Sequence, residues 1–401
     1  MHKPDFLIIG GGIIGLSIAR RLKHLYADSS VVILEKEPAC GLHASGRNSG
    51  VLHAGFYYSP DSLKAQLTRD GNERLRAYCQ EKNIHLNQCG KLVVAKDHTE
   101  LAAMDELVKR GKANGIPLQE ITAVEAKEIE PRVKTWERAL FSPTTATVDP
   151  TEVVNAMVHD AQHEGVEIHY ESGYQFRRGT VVHSSHDSYD AGYIVNAAGL
   201  YADHIARDFG FSEHYRILPF KGLYLYSNEP PGTIRTNVYP VPDLRNPFLG
   251  VHMTVTVQGK AKIGPTAIPA FWREQYEGFG NFKLSEFVDV LVRQAGLFVF
   301  SEFDFKRLAF EEIQKYSRTH LVQLATSLMD GITPERYTTW GKPGIRAQLL
   351  DTKKRKLEMD FVLEGDSRSM HVLNAVSPAF TCSLPFADYV CQHIRVQLGD
   401  T

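Results

Sequence analysis

Hydrophobic and polar positions at the start of the chain predict three successive elements. Phe6–Ile9 is a continuous apolar run, which is typical of a parallel strand covered on both faces. A helical stripe follows, with apolar residues at Ile14, Ile18, Leu22 and Leu25. A second apolar run, "SVVILEK", leads to Glu35. The pattern therefore predicts a strand, a helix and a second strand.

Helix signals recur further along the chain. In "DPTEVVNAMVHDAQHEG", Asp149 is placed as an N-cap and Pro150 as the first helical residue. "TAVEAKEIEP" begins with a capping box of Thr122 and Glu125, and Pro60 predicts the first turn of another helix. Strand-like pieces lie between these helices: "GKLVVAK", "VEIHY", "ILPFKGLYLYS", "FLGVHMTVTV" and "KAKIGP".

The turn between the first strand and helix is rich in glycine. Gly10, Gly12 and Gly15 form G-x-G-x-x-G, which permits a tight turn and close approach of the backbone to a pyrophosphate at the helix N-terminus. Glu35 follows Gly15 by twenty residues, the spacing at which a carboxylate accepts hydrogen bonds from ribose hydroxyls. We predict a dinucleotide site here, which also includes the neighbouring residues Ile13, Ile14 and Lys36.

The next segment favours FAD over NAD. The long polar loop "PACGLHASGRNSGVLHAGFYY" interrupts the strand–helix alternation expected of a nicotinamide dehydrogenase. Much later, "YIVNAAGLYAD" ends an apolar strand with small residues, which again lets backbone approach a ligand. A cofactor large enough to contact both segments is more consistent with FAD than with NAD.

Together these motifs resemble the D-amino-acid-oxidase-like family of FAD-dependent oxidoreductases. The resemblance implies that Ser45 and Gly46 meet the pyrophosphate, and that "GRNSG" passes beneath the isoalloxazine ring. It also implies cofactor contacts at the other small-residue turns. The residues implied are Arg47, Asn48, Ser49, Gly50, Ala197, Ala198, Gly199, Gly344, Ile345, Ser377, Pro378 and Ala379.

The expected fold class is α/β, or α+β overall: a Rossmann-like FAD-binding domain with an inserted mixed-sheet substrate domain. We expect residues 1–88, 147–212 and 337–401 to form the FAD-binding domain. Residues 89–146 and 213–336 are expected to form the substrate-binding domain.

Further motifs narrow the resemblance. "NSGVLHAGFYY", "LPFKG", "NVYPVPDLRNPFLGVHMTV", "GPTAIPAFWREQY" and "WGKPGIRAQLLD" closely resemble segments of L-2-hydroxyglutarate dehydrogenases and oxidases, almost from end to end of the chain. The chain departs from that pattern at Arg47, where histidine is expected, and at Lys221, where "PFRG" is more usual. The resemblance implies FAD-dependent oxidation of L-2-hydroxyglutarate to 2-oxoglutarate, with hydride transfer to flavin N5.

This oxidation needs a base for the hydroxyl proton, and neutral histidine suits that role because its ordinary pKa is about 6.5. His53 and His252 are the two candidates, with His53 slightly preferred because its loop is expected near the flavin. His43 is a third possibility, as a cofactor neighbour or covalent flavin link.

A dicarboxylate substrate also needs cationic partners, and arginine binds carboxylates bidentately. Arg346 is the preferred clamp, and Lys221 and Arg245 are weaker candidates. Tyr239 closes the pocket or packs beneath the sheet, and one of Tyr57 and Tyr58 is expected to reach the substrate.

Composition excludes some functions and leaves others open. The net charge of −2 gives no electrostatic case for nucleic acid, and five scattered cysteines without a C-x-x-C pair argue against a zinc site or disulfide framework. We expect a cytoplasmic protein without metal, peripheral to a membrane if the apolar segment near 284–300 lies at an interface rather than in a core. Quinone, oxygen and another flavoprotein remain open as acceptors. Amino acids, other 2-hydroxy acids and glycerol 3-phosphate remain open as substrates, and so does a non-catalytic flavoprotein.

Overall fold

The computed structural model describes residues 1–243, 248–300 and 305–400. Its helices are α1 (Ile13–Leu25), α2 (Leu63–Glu81), α3 (Leu101–Ala113), α4 (Ala123–Ile129), α5 (Pro150–His163), α6 (Ala202–Asp208), α7 (Leu284–Phe300), α8 (Phe305–Gln314), α9 (Arg318–Ala325) and α10 (Ala379–Leu398). Its strands are β1 (Phe6–Ile9), β2 (Val31–Leu34), β3 (Val51–Leu52), β4 (Lys91–Val94), β5 (Gln119–Thr122), β6 (Arg138–Ser142), β7 (Ala146–Thr147), β8 (Val166–His169), β9 (Tyr174–Arg178), β10 (Val181–Ser184), β11 (Ser188–Tyr189), β12 (Tyr193–Asn196), β13 (Tyr215–Gly222), β14 (Leu225–Ser227), β15 (Asn237–Pro240), β16 (His252–Val255), β17 (Ala261–Gly264), β18 (Ile268–Pro269), β19 (Tyr337–Trp340), β20 (Gly344–Asp351), β21 (Lys356–Leu357), β22 (Val362–Gly365) and β23 (Ser369–Asn374).

The chain folds into two compact units. The first unit contains Met1–Arg47, Pro150–Pro219 and Arg346–Thr401, and the second contains Asn48–Asp149 and Phe220–Ile345. The sequence expectation instead gave residues 48–88 to the FAD-binding domain. They pack in the second unit because β3 pairs with β7 of that unit, and because Asn72 of α2 donates to the backbone oxygen of Leu52 at 3.0 Å.

The first unit contains a six-stranded sheet in the order β22-β23-β12-β1-β2-β8. β1 pairs in parallel with β2 on one side and with β12 on the other. All four residues of β1 and of β2 are buried, as their continuous apolar runs predict. The predicted strand, helix and second strand are confirmed, and α1 begins immediately after the glycine turn.

The second unit contains an eight-stranded sheet in the order β19-β14-β17-β16-β15-β4-β6-β5. Its strands are antiparallel except where β4 pairs in parallel with β15. One sheet face packs into an apolar core with residues of α9; this core includes Leu92, Val238, Met253, Ile263 and Leu321. Helices together with two sheets that each combine parallel and antiparallel pairs confirm the predicted mixed α/β fold class.

Local helix signals were mostly accurate. The capping box of Thr122 and Glu125 is confirmed, and α5 begins at Pro150 as predicted. The predicted start at Pro60 is wrong: α2 begins at Leu63, because the Ser62 side chain is the N-cap and accepts a hydrogen bond from the Ala65 amide at 3.1 Å. Among the residues that the structure describes, no helix combines the length and apolar character needed to cross a bilayer.

Candidate active site

The glycine turn of the first unit is a point where backbone meets backbone. A Cβ added to Gly15 would lie 2.0 Å from the Gly10 carbonyl oxygen, and one added to Gly10 would lie 2.6 Å from the Ala197 oxygen. Gly10 also has a φ of +111°, which side chains rarely adopt. Among the described atoms, a Cβ on Gly12 would meet only Ser45 Oγ within 4 Å, at 3.1 Å. Gly10 and Gly15 are therefore required by packing, whereas Gly12 leaves room above the N-terminus of α1.

Glu35 lies beside this turn as a buried carboxylate. Its Oε2 accepts a hydrogen bond from the Gly11 amide at 2.9 Å, and its Oε1 accepts one from the Glu37 amide at 2.9 Å. Burial nevertheless raises the pKa of Glu35 above its ordinary value, against the lowering effect of these amides. Carboxylate oxygens have further lone pairs, so Glu35 retains capacity to accept hydroxyl donors. This arrangement fits a ribose at the end of β2.

The loop after Glu35 closes over the same helix terminus. Ser45 Oγ accepts a hydrogen bond from the Ile13 amide at 2.9 Å, which satisfies one of the amides that a helix start leaves open. Arg47 Nε donates to the Leu42 oxygen at 2.7 Å, so this side chain stabilises its own loop. His43 Nε2 lies 2.9 Å from the Glu37 carboxylate.

The small residues that end β12 also lie beside β1. The Ala197 amide donates to the Ile9 oxygen at 2.9 Å, and the Ala198 amide donates to Asn196 Oδ1 at 3.2 Å. Gly199 has a φ of +55°, and an added Cβ would meet no described atom within 4 Å. The first unit therefore brings together the turn, Glu35, Ser45 and the β12 end, which together form a cradle suited to a dinucleotide.

The remaining predicted cofactor residues lie at other element ends. Pro378 is the N-cap of α10, and the Ala379 amide already donates to the Val376 oxygen at 3.0 Å. Gly344 and Ile345 are the first, buried residues of β20. In the second unit, the Gly50 amide donates to Asn48 Oδ1 at 2.8 Å. Lys36 is in the first unit, with its Nζ 5.8 Å from the Tyr201 ring centroid.

In the second unit, side chains from two helices hold the backbone of residues 53–58. Asn72 Nδ2 of α2 donates to the His53 oxygen at 3.2 Å. From α3, Arg110 Nη1 donates to the Tyr57 oxygen at 2.9 Å, and Nδ2 of Asn114, the C-cap residue after α3, donates to the Tyr58 oxygen at 3.1 Å. The segment is a turn rather than an extended strand, so Tyr57 and Tyr58 do not alternate between two faces. Tyr57 is buried and Tyr58 is half-buried.

The predicted hairpin that contains Tyr239 and His252 is present. β15 and β16 pair antiparallel with Val238 opposite Met253, which places Tyr239 opposite His252 on the sheet face away from the apolar core. Their rings stack with centroids 3.7 Å apart and an interplanar angle of 21°. Both side chains are buried, at 1% and 4% exposure.

His252 has a defined tautomer when neutral. Its Nδ1 lies 2.8 Å from the Gly250 carbonyl oxygen, which only accepts hydrogen bonds, so Nδ1 carries the proton. The lone pair is then on Nε2. A neutral histidine oriented in this way has the chemistry of a general base.

Two buried lysines on the same sheet face were not identified as site residues from the sequence. In strand register, Lys91 of β4 lies opposite Asn237 of β15, and Lys262 of β17 lies opposite Thr254 of β16. Burial lowers the pKa of Lys91 to about 7 and that of Lys262 to about 8. Lys262 Nζ donates to the Ser49 oxygen at 3.2 Å. The alternation of polar and apolar residues in "NVYP", "HMTV" and "AKIG" was the available signal for this face.

The predicted carboxylate-binding residues lie on different strands. Lys221, on β13, is buried at 8% exposure, and burial lowers its pKa below the ordinary value. Arg346 is half-buried on β20. Arg245 lies outside the described residues.

Comparison with known proteins gives a match over almost the whole chain. The family described as FAD dependent oxidoreductase (DAO) matches residues 5–393. The chain is 33% identical to an L-2-hydroxyglutarate dehydrogenase of Escherichia coli K12, covering 98% of this chain and 94% of that protein. It is 35% identical to the mitochondrial L-2-hydroxyglutarate dehydrogenase of Homo sapiens, covering 98% of this chain and 88% of that protein. The resemblance found in the motifs is thereby confirmed.

Solved structures share the fold at lower identity. An L-alpha-glycerophosphate oxidase from Mycoplasma pneumoniae with FAD bound superposes with a TM-score of 0.77 at 20% identity, covering 98% of this chain and 95% of that chain. A glycine oxidase from Geobacillus kaustophilus gives a TM-score of 0.72 at 19% identity, covering 99% of this chain and 96% of that chain.

Proposed function

The chain belongs to the DAO family of FAD-dependent oxidoreductases, and we propose that it oxidises L-2-hydroxyglutarate to 2-oxoglutarate. The names of relatives at 33% and 35% identity support the substrate. The observation that carries the chemistry is His252, a buried imidazole whose Nδ1 lies 2.8 Å from the Gly250 carbonyl oxygen.

The proposed reaction removes a hydride from C2 of the substrate and a proton from its hydroxyl. Bound FAD supplies the hydride acceptor at flavin N5. The cradle of Gly10, Gly12, Gly15 and Glu35 fits the pyrophosphate and ribose of that cofactor. We propose that Nε2 of His252 takes the hydroxyl proton, and that the Gly250 carbonyl stabilises the resulting imidazolium through Nδ1–H.

His53 is the competing base. It was slightly preferred in the sequence analysis, and its carbonyl oxygen accepts a hydrogen bond from Asn72. Its exposure is intermediate, whereas His252 is buried and has a defined tautomer, so we assign the base to His252. For the substrate carboxylates, we propose contacts with Arg346, bidentate because of its planar guanidinium, and with Lys221.

The first experiment is an anaerobic titration of the flavin-loaded protein with each enantiomer of 2-hydroxyglutarate, followed by the visible flavin absorption. We expect bleaching by the L enantiomer alone. No bleaching by either enantiomer would contradict the proposed substrate. Amino acids, other 2-hydroxy acids and glycerol 3-phosphate would then be titrated in the same way, and a protein that none of them reduces would be a non-catalytic flavoprotein.

Three histidine variants separate the candidate bases. His252→Ala is expected to slow flavin reduction about 10²- to 10⁴-fold, as for loss of a positioned general base. His53→Ala is expected to have a smaller effect, and the exposed His85→Ala is the matched control with no expected change. A larger effect of His53→Ala would transfer the role of base to His53.

We also infer a membrane-facing surface on α7. Its Leu284, Val288 and Val292 side chains are 67%, 50% and 59% exposed, although Val290 and Leu297 of the same helix are buried. An apolar face of this kind suits the interface of a lipid bilayer, which would give access to a membrane quinone. Val288→Ser combined with Val292→Ser should reduce co-sedimentation with anionic phospholipid vesicles. Val124→Ser, at a 70% exposed valine of α4, is the control, and equal binding by all proteins would refute the inference.

A further inference from the structure

Lys91 is surrounded by aromatic rings inside the second unit. Its Nζ lies 4.6 Å from the ring centroid of Phe56, 4.4 Å from that of Tyr57 and 4.9 Å from that of Tyr239. The side chain is fully buried, with 0% exposure. Ring faces attract cations, so this cage favours a protonated amine.

The cage contains no counter-charge for the amine. Within the described part of the chain, Lys91 Nζ has no hydrogen-bond partner, and the buried Tyr57 hydroxyl has none either. Desolvation alone accounts for the lowering of the Lys91 pKa to about 7, with no contribution from a neighbouring carboxylate. A buried amine in this environment lowers the stability of the fold, because burial disfavours its charge and leaves its N–H donors unsatisfied.

Strand order connects this amine to His252. β15 lies between β4 and β16, so Lys91 of β4 and His252 of β16 reach the Tyr239 ring from the strands on its two sides. The Tyr239 ring is 4.9 Å from the amine and 3.7 Å from the imidazole centroid. The same aromatic ring therefore contacts both the amine and the imidazole.

We propose that Lys91 is a positioning residue for the base: its ammonium group fixes the Tyr57 and Tyr239 rings and disfavours a second proton on the His252 imidazole. The role in catalysis rests on the proposed function, but the electrostatic effect on His252 does not.

The sign of the effect follows from the charges. A nearby cation disfavours the protonated form of a histidine and so keeps Nε2 available as an acceptor. The surrounding elements carry Tyr57 and Tyr239, which are neutral at pH 7 because burial raises the pKa of each, and Cys89, whose thiol pKa is also raised. Lys262 of β17 is a second buried amine on the same sheet face, with its Nζ 4.3 Å from the Tyr224 ring centroid. Lys91 is the amine that lies beside the Tyr239 ring of the stacked pair.

A matched pair of substitutions tests this role. Lys91→Met keeps the length and apolar body of the side chain but removes the charge, whereas Lys91→Arg keeps the charge. Lys96→Met, at an exposed lysine five residues later, is the control. The first readout is the NMR titration of histidine in flavin-loaded protein labelled at histidine, with the His252 signal assigned from a His252→Gln variant.

We expect Lys91→Met to raise the pKa of His252 by about one unit, while Lys91→Arg and Lys96→Met leave it near the wild-type value. The pH profile of flavin reduction by L-2-hydroxyglutarate should shift in the same direction, with a loss of rate that grows as pH falls, towards a limit of about tenfold. If Lys91 were purely structural, its replacement by methionine would change neither the His252 titration nor the pH profile of flavin reduction.

The outcomes separate the two proposals. An unchanged His252 titration in folded Lys91→Met protein would overturn the positioning role. If Lys91→Met does not fold, a shifted titration in Lys91→Arg, where the charge is retained, would overturn it instead. A shifted titration in a protein that L-2-hydroxyglutarate does not reduce would keep the positioning role and reject the proposed substrate.

Discussion

The glycine turn of the first unit and the polar sheet face of the second unit solve opposite packing problems. At the turn, Gly15 and Gly10 bring backbone so close that no Cβ fits. On the sheet face, long side chains fill the space, and Lys91 and Lys262 are buried there with their amines among aromatic rings. The Gly15 contact is made within six consecutive residues, and the Gly10 contact adds Ala197 at the end of β12. The second needs strands β4, β15, β16 and β17, which are distant in sequence.

The largest effect is expected where backbone meets backbone. Gly15→Ala would place Cβ 2.0 Å from the Gly10 oxygen, so the turn must open or α1 must move. We expect loss of flavin and a loss of about 3 kcal/mol or more in the free energy of unfolding. The flavin content of the purified protein measures the first effect, and urea denaturation measures the change in the free energy of unfolding.

The control for this substitution is Gly296→Ala in α7, where an added Cβ meets no atom of the described residues within 4 Å. Alanine favours a helix interior by about 1 kcal/mol over glycine, so this variant should be neutral or slightly stabilised. If Gly15→Ala retained flavin and stability as Gly296→Ala does, close backbone packing at Gly15 would not be required for the glycine turn.

The second effect concerns the buried charge of Lys262. Burial lowers its pKa to about 8 from an ordinary value of 10.5, so between these values the unfolded chain binds more protons than the folded one. The stability of the wild type should therefore rise with pH across this window, and Lys262→Met should lack that rise.

At pH 7 we expect Lys262→Met to be more stable by about 1–3 kcal/mol, less the lost hydrogen bond to the Ser49 oxygen. Urea denaturation at pH 7, 8.5 and 10 measures the difference, which should shrink as pH rises. Exposed Lys260→Met is the control. A stability difference that is independent of pH would mean that burial does not lower the pKa of Lys262.

These two regions also explain what the sequence could predict. The strand, helix and strand around Gly10 were predictable because turn chemistry and apolar periodicity are local. The polar face was predictable only in part: Tyr239 and His252 were identified, but Lys91 and Lys262 were assigned only to strand-like pieces. Their burial depends on which strands become neighbours, and β4 joins β15 in parallel although more than a hundred residues separate them. The boundary near residue 88 differs from the observed units for the same reason, since the pairing of β3 with β7 is not local.

A smaller effect tests a local signal inside the second unit. Thr122→Ala removes the side chain that accepts from the Glu125 amide at 3.2 Å, and with it the capping box of α4. We expect a loss of about 1 kcal/mol in the free energy of unfolding and no change in flavin reduction. Val124→Ala in the same helix, at a 70% exposed residue, is the control. A change in the rate of flavin reduction would show that the capping box of α4 also affects the candidate active site.

The smallest effect is expected at Lys221, where the family pattern that the motifs resemble leads us to expect arginine. Its burial on β13 lowers its pKa, so part of its charge is lost as pH rises towards that value. Lys221→Arg restores a group that stays charged and binds a carboxylate bidentately. We therefore expect KM for L-2-hydroxyglutarate to fall about two- to fivefold, an effect below about 1 kcal/mol, with little change in kcat. Because Lys221 is buried, the gain should be larger at pH 9 than at pH 7. Lys342→Arg, at an exposed lysine of the second unit, should change neither constant. A raised KM in Lys221→Arg would mean that this position is fitted to the smaller ammonium group, and that local resemblance to relatives is a poor guide to contacts on an assembled sheet.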